Sequence, residues 1–137
     1  MDSIWIRGKR PLYGEMTVQG SKNAVLPILA STILIAGKTT LRNCPDISDV
    51  DCMCRILQKI GATVTKTGHE ICVDASGALQ SRLPAEEVVR MRSSIVLTGA
   101  LLGRLGQASF CDPGGCVIGA RPIDLHLKSF ARFGCQI

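Results

Sequence analysis

Aromatic side chains are scarce in this 137-residue chain, which has three Phe, one Trp and one Tyr. Single-stranded nucleic acids are bound on aromatic platforms set in a basic groove. With no Lys/Arg run either, the chain lacks a dedicated nucleic-acid surface. Histidine is nearly absent, with only His69 and His126, and the seven cysteines are odd in number and contain no Cys-x-x-Cys pair. That fits a reducing compartment better than a zinc site or a disulfide scaffold. The longest apolar stretch, Ala24–Gly37, is fourteen residues with Pro27 inside, against about 20 for a membrane span. It reads as a buried core helix. Little apolar sequence precedes Arg7, Lys9 and Arg10, so no export signal is recognised. The expectation is a soluble, cytoplasmic protein without metal, membrane or nucleic-acid partner. Sixteen basic against eleven acidic residues give a net charge of +5, a balance that suits small anionic substrates.

What is present is concentrated in three places. Between Cys111 and His126 the chain reads Cys-Asp-Pro-Gly-Gly-Cys-Val-Ile-Gly-Ala-Arg-Pro-Ile-Asp-Leu-His. Pro113, Gly114 and Gly115 preclude regular structure, so Cys116 is displayed on a loop. Pro122 suits a first helical turn, with Ile123, Leu127, Phe130 and Phe133 as the apolar face. Arg121 then stands at a helix N-terminus, where backbone N–H groups and the dipole favour anions. A thiol beside such charge has a lowered pKa and is reactive, whereas Asp112 pushes the other way. Taken alone, a Gly-Gly-Cys loop is more often a turn with an inert cysteine.

The second place is Gly20-Ser21-Lys22-Asn23, ahead of the apolar run, with Ser21 as N-cap. A lysine in the first turn opposes the dipole. It is either a solvated surface residue or a phosphate ligand. The third is Met91-Arg92-Ser93-Ser94, which opens a second nearly uncharged segment ending at Gly103. Arg92 alone is equally a solvated helix-start residue or an anion ligand.

Together, these segments resemble the signature stretches of the bacterial UDP-N-acetylglucosamine enolpyruvyl transferases, in the same order and from about Ile4 to the last residue. The cysteine loop is the most specific, since the sister shikimate-pathway transferases lack its thiol. The resemblance implies transfer of the enolpyruvyl group of phosphoenolpyruvate to the 3′-hydroxyl of UDP-N-acetylglucosamine, the first committed step of peptidoglycan synthesis, without a cofactor. The hydroxyl adds to C2 while a proton reaches C3, and phosphate leaves the tetrahedral adduct. Residue by residue, Cys116 matches the loop cysteine assigned to proton donation or product release and attacked by the epoxide fosfomycin. Lys22, Asn23, Arg92 and Arg121 match phosphoenolpyruvate ligands. Asn23, Arg92, Arg121, Pro122, Ile123, Asp124 and Leu125 match positions holding the nucleotide sugar. Asp124 in a first turn is equally explained by the dipole, Leu125 lies off the apolar stripe, and His126 reads as structural.

The fold class implied is mixed α/β, a partial inside-out α/β barrel of repeated units with helices inside and sheets outside. Strands are expected near Ser3–Arg7, Glu15–Gln19, Thr39–Arg42, Ala62–Lys66, Glu70–Asp74 and Ala108–Cys111. Helices are expected near Lys22–Ile35, Val50–Ile60, Ala85–Gly103 and Pro122–Phe133, with Thr67-Gly68-His69 as a hairpin turn. An internal repeat is visible: Val50, Cys54, Leu57, Ile60 and Gly61 recur 73 positions later (123 − 50) as Ile123, Leu127, Phe130, Phe133 and Gly134.

The family is two-domain and about three times as long, beyond the size at which single cores divide. The resemblance therefore implies an N-terminal fragment: residues 1–21 belong to the other, C-terminal domain, and 22–137 form an incomplete domain of about two of three repeat units. The aspartate that deprotonates the sugar hydroxyl lies in the part with no counterpart here. The absent half, or a second copy, is the partner that would complete the site. Two rival readings are a catalytically inactive fragment that binds nucleotide sugar or a partner chain, and a redox module built on Cys111 and Cys116.

Overall fold

The computed structural model describes residues 3–112, 114 and 122–137. The chain forms α1 (Lys22–Ser31), β1 (Lys38–Leu41), α2 (Ser48–Lys59), β2 (Thr63–Thr67), β3 (Glu70–Asp74), α3 (Ala85–Val88), α4 (Val96–Leu105) and α5 (Asp124–Arg132). Short 3-10 turns extend α1 over Thr32–Leu34 and precede α4 over Arg92–Ile95. The expected mixed α/β class is observed.

Three antiparallel strands form a sheet in the order β1-β3-β2. The central strand alternates as a half-buried strand should, with Ile71 and Val73 inside. Gly68 and His69 connect β2 to β3 with Thr67 paired to Glu70, the expected hairpin. The inner sheet face meets α2, whose Val50, Met53 and Leu57 are fully buried at helical spacing, as is Ile60 directly after it. Leu26 and Leu29 of α1 and Leu97 and Leu101 of α4 complete one core. Each such side chain contributes on the order of 1.5–3 kcal/mol of transfer free energy.

The 73-residue repeat is reproduced in backbone hydrogen bonds. At the end of α2, Gly61 N–H donates to the Gln58 carbonyl and Ala62 N–H to the Leu57 carbonyl. At the end of α5, Gly134 N–H donates to Ala131 and Cys135 N–H to Phe130, the same positions plus 73. Both are Schellman closures, and both glycines have positive φ, 109° and 90°. Their surroundings differ: Ile60 is fully buried beside the sheet, whereas Phe133, its counterpart, is 87% exposed.

Three expectations are corrected. Ser3–Arg7 and Glu15–Gln19 form no strand, and Trp5, Ile6, Met16 and Val18 are exposed. A strand needs a neighbour for its backbone groups, and neither segment pairs with an edge of the three-stranded sheet. The helix expected over Ala85–Gly103 is broken, because Met91 is extended (φ −139°, ψ 104°) with its side chain buried. Ala108–Cys111 contributes only a bridge between Ser109 and Arg82, held by hydrogen bonds of 2.8 Å from Ser109 N–H to Ser81 and from Leu83 N–H to Ser109.

Contacts near the helix ends orient the helices. Lys22 of α1 touches Asp49 of α2, so these starts are adjacent. Leu34, just past α1, packs on Gly103 near the end of α4, so these ends are adjacent. Arg92, ahead of α4, donates to the carbonyl of Pro122, ahead of α5. The four longer helices therefore run in one direction, with their N-termini gathered at one end.

A candidate anion-binding site at the helix starts

The expected ligands on described residues all lie at that end. Lys22 and Asn23 are the first two residues of α1, both exposed. Ser21 occupies the N-cap position as expected, but through its backbone: its carbonyl accepts from Ala24 and Val25 N–H, and the side chain makes no capping bond. Pro27 carries no N–H for the Asn23 carbonyl one turn back, and because the Ser21 side chain caps no N–H, the first turn of α1 presents uncapped N–H groups beside the Lys22 cation.

Lys22 Nζ lies 2.6 Å from Asp49 Oδ2, with the lysine side chain half exposed. Asp49 also sits in the first turn of α2, where its charge complements the dipole. Arg92 opens the 3-10 turn and its Nη2 is 3.4 Å from the Pro122 carbonyl oxygen. Asp124 begins α5 and pairs with Lys128 one turn on, at 3.2 Å. That hydrogen bond holds its carboxyl below the ordinary carboxylate range. Leu125 is 70% exposed, off the Ile123–Leu127–Phe130 stripe as its position implied. His126 is exposed, and neither Pro122 nor Ile123 is buried. Cys116 and Arg121 lie outside the described residues.

Sequence reading did not single out Asp49 or Glu87. Glu87 is buried, yet accepts hydrogen bonds from Arg55 Nε at 3.2 Å, Lys59 Nζ at 3.1 Å and the Cys52 thiol at 3.6 Å. Burial penalises its charge, but the hydrogen bonds and charges of Lys59 and Arg55 outweigh that and hold its pKa below the ordinary value. Burial, reinforced by the Glu87 charge, pushes the Cys52 thiol up. In the sequence, Glu86-Glu87 looks like any acidic first turn, and nothing local distinguishes the buried member from the exposed one. A second acidic cluster holds Lys66, whose Nζ is 2.7 Å from both Asp46 and Asp51.

Six cysteines, at 44, 52, 54, 72, 111 and 135, are free thiols. No cluster of His, Cys, Asp and Glu able to hold a metal ion occurs among the described residues, and no helix there is long and apolar enough to cross a membrane. The helix starts thus carry Lys22, Asn23 and Arg92, with Lys22 paired to Asp49 and Arg92 to the Pro122 carbonyl, groups of the type that bind a multiply charged anion.

Over its whole length the chain is 48% identical to UDP-N-acetylglucosamine 1-carboxyvinyltransferase 2 of Caldanaerobacter subterraneus subsp. tengcongensis, covering 33% of that protein. It is 44% identical to UDP-N-acetylglucosamine 1-carboxyvinyltransferase of Desulfatibacillum aliphaticivorans, again covering 33%. The chain thus spans about a third of the length of the curated relatives it matches. Among solved structures, the enolpyruvyl transferase NikO from Streptomyces tendae superposes with a TM-score of 0.70 at 28% identity, over 85% of this chain and 25% of that one. The fold is accordingly part of an enolpyruvyl transferase's inside-out α/β barrel. Residues 6–137 match the family model described as EPSP synthase (3-phosphoshikimate 1-carboxyvinyltransferase), and the chain belongs to that family.

Proposed function

We propose that this chain carries the phosphoenolpyruvate-binding part of an enolpyruvyl transferase acting on UDP-N-acetylglucosamine, in the cytoplasm and in peptidoglycan synthesis. The observation that carries the reading is the gathering of the starts of α1, α4 and α5 at one end, with Lys22, Asn23 and Arg92 on them. Phosphoenolpyruvate presents a phosphate and a carboxylate, and charge-assisted hydrogen bonds to both are strongest where water is excluded. In this reading Lys22, Arg92 and Arg121 hold those groups, and Cys116 donates the proton or assists product release. Asn23 and residues 121–125 meet the nucleotide sugar. The relatives' names support the choice of acceptor.

The same reading assigns residues 1–21 to a second domain and 22–137 to an incomplete barrel domain. The exposed apolar side chains of residues 4–18 support this, because such a segment needs a sheet to join.

The test is release of inorganic phosphate from phosphoenolpyruvate with UDP-N-acetylglucosamine present, comparing the chain with its Cys116→Ser variant. Release requiring both substrates and Cys116 supports catalysis by this chain, alone or self-associated. Saturable binding of both substrates without release identifies the binding reading instead. Absence of binding and release sinks both.

A further inference from the structure

The segment Ala85–Arg92 meets both flanks of the glycine-rich loop. On the entering side, the Cys111 thiol points at the Ala85 carbonyl, at 3.9 Å. Three residues later Gly114 lies flat on Val89: a Cβ there would overlap the Val89 carbonyl oxygen and come within 3.0 Å of its carbonyl carbon and 3.1 Å of its Cα. Only glycine permits that approach. On the leaving side, Arg92 donates to the Pro122 carbonyl. Cys111, Gly114 and Pro122, on the two flanks of the loop, therefore all touch one eight-residue stretch.

That stretch cannot hold its own shape. α3 is a single turn of four residues, far below the length at which a helix is stable by itself, and no side chain caps it. What attaches it are the buried side chains of Val88 and Met91 and the carboxylate of Glu87, which reaches across to α2. The Glu87 contacts are directional. Arg55 and Lys59 lie one turn apart on α2, and the Cys52 thiol, one turn before Lys59's neighbour Ile56, closes the third side. Apolar contacts alone permit sliding, whereas two charged donors on one rigid helix set the position of the carboxylate, and with it of Val89 and Arg92.

We propose that Glu87 is a positioning residue, which through its pairing with Arg55 and Lys59 locks the segment Ala85–Arg92 and so sets the place of Arg92 and of the Gly114 backbone. The proposal rests on the anion-site reading only for its functional consequence. The lock itself is a property of the ligand-free chain.

The experiment is nuclear magnetic resonance on the isotope-labelled chain, comparing it with Glu87→Gln and Arg55→Gln, followed by titration with phosphoenolpyruvate. The expected result is that both variants shift or broaden the Arg92 Nε–Hε, Cys111 and Gly114 resonances. They should also weaken phosphoenolpyruvate binding by roughly three- to tenfold, the loss typical of one misplaced hydrogen-bonding group. Arg55→Gln leaves the carboxylate in place and changes a side chain that is 44% exposed, so it reports even where Glu87→Gln does not fold. Changes confined to residues 52, 55, 59 and 87, with the Arg92 and Gly114 signals unmoved, would overturn the proposal. An unmodified chain that does not respond to phosphoenolpyruvate overturns the anion-site reading, while the ligand-free resonances still decide the lock.

Discussion

Lys22 Nζ and Asp49 Oδ2 stand 2.6 Å apart, joining the first turns of two parallel helices. The carboxylate occupies the cation that the anion-site reading reserves for substrate. Both side chains are partly solvated, so the pair adds no more than about 1 kcal/mol to stability. Asp49→Asn should leave thermal unfolding nearly unchanged and tighten phosphoenolpyruvate binding at low salt, with the gain fading as ionic strength rises. Lys22→Met should remove the response to phosphoenolpyruvate altogether. Calorimetric titration across salt concentrations checks both, and an Asp49→Asn variant that binds more weakly would contradict this account.

The two copies of the repeat should respond unequally to the same truncation. Ile60→Ala removes a fully buried side chain next to the sheet and should cost about 2–5 kcal/mol. Phe133→Ala acts at an 87% exposed side chain and should change stability by no more than about 0.5 kcal/mol. Denaturant unfolding of the pair measures the difference.

The glycines that close the two helices also separate. Both have positive φ, so an alanine is strained at either place. At Gly61 a Cβ would additionally lie 2.6 Å from the Ala78 carbonyl oxygen, whereas nothing stands within 4 Å at Gly134. Gly134→Ala should cost about 1–2 kcal/mol and Gly61→Ala measurably more, by the same unfolding assay. Equal losses would show that the Ala78 contact relaxes freely.

Stability should fall at both ends of the pH range. The carboxyls of Asp46, hydrogen-bonded to Lys66, and of Glu87 titrate below their ordinary values when folded. The unfolded chain thus takes up protons first, and stability present at neutral pH should decline as pH drops below about 4. The thiols act oppositely. Burial raises Cys44 and Cys52, and burial together with the Asp51 charge pushes Cys54 up to about 11. Unfolding releases protons from them, so stability should be full below about pH 8.5 and decline above it, towards about pH 11 for Cys54. Melting temperature measured from acid to alkaline pH checks the shape, and Cys54→Ala should flatten the alkaline limb.

Much of the local architecture was legible because it depends on short-range pattern. The spacing of Val50, Cys54 and Leu57 marks α2, the Gly68-His69 turn marks the hairpin, and glycine after Ile60 and Phe133 marks two equivalent helix ends. The candidate ligands Lys22, Asn23 and Arg92 were singled out by the family resemblance, since a cation at a helix start is by itself either a solvated residue or an anion ligand. Strand propensity near residues 3–7 and 15–19 misled, because a strand forms only against an edge. The continuous helix expected over 85–103 failed at Met91, where burial of one side chain and the reach of Glu87 to α2 outweighed local preference.

By itself, then, the sequence determined the helices and strands of the middle of the chain, the repeat and the chemical types offered at the site, all set by neighbours within a few residues. The tertiary structure decided that the helices run parallel, so that distant first turns meet. It also made Asp49 the companion of Lys22 and, of two adjacent glutamates, drew Glu87 inside. These depend on contacts between residues 27 to 35 positions apart, which no local pattern encodes.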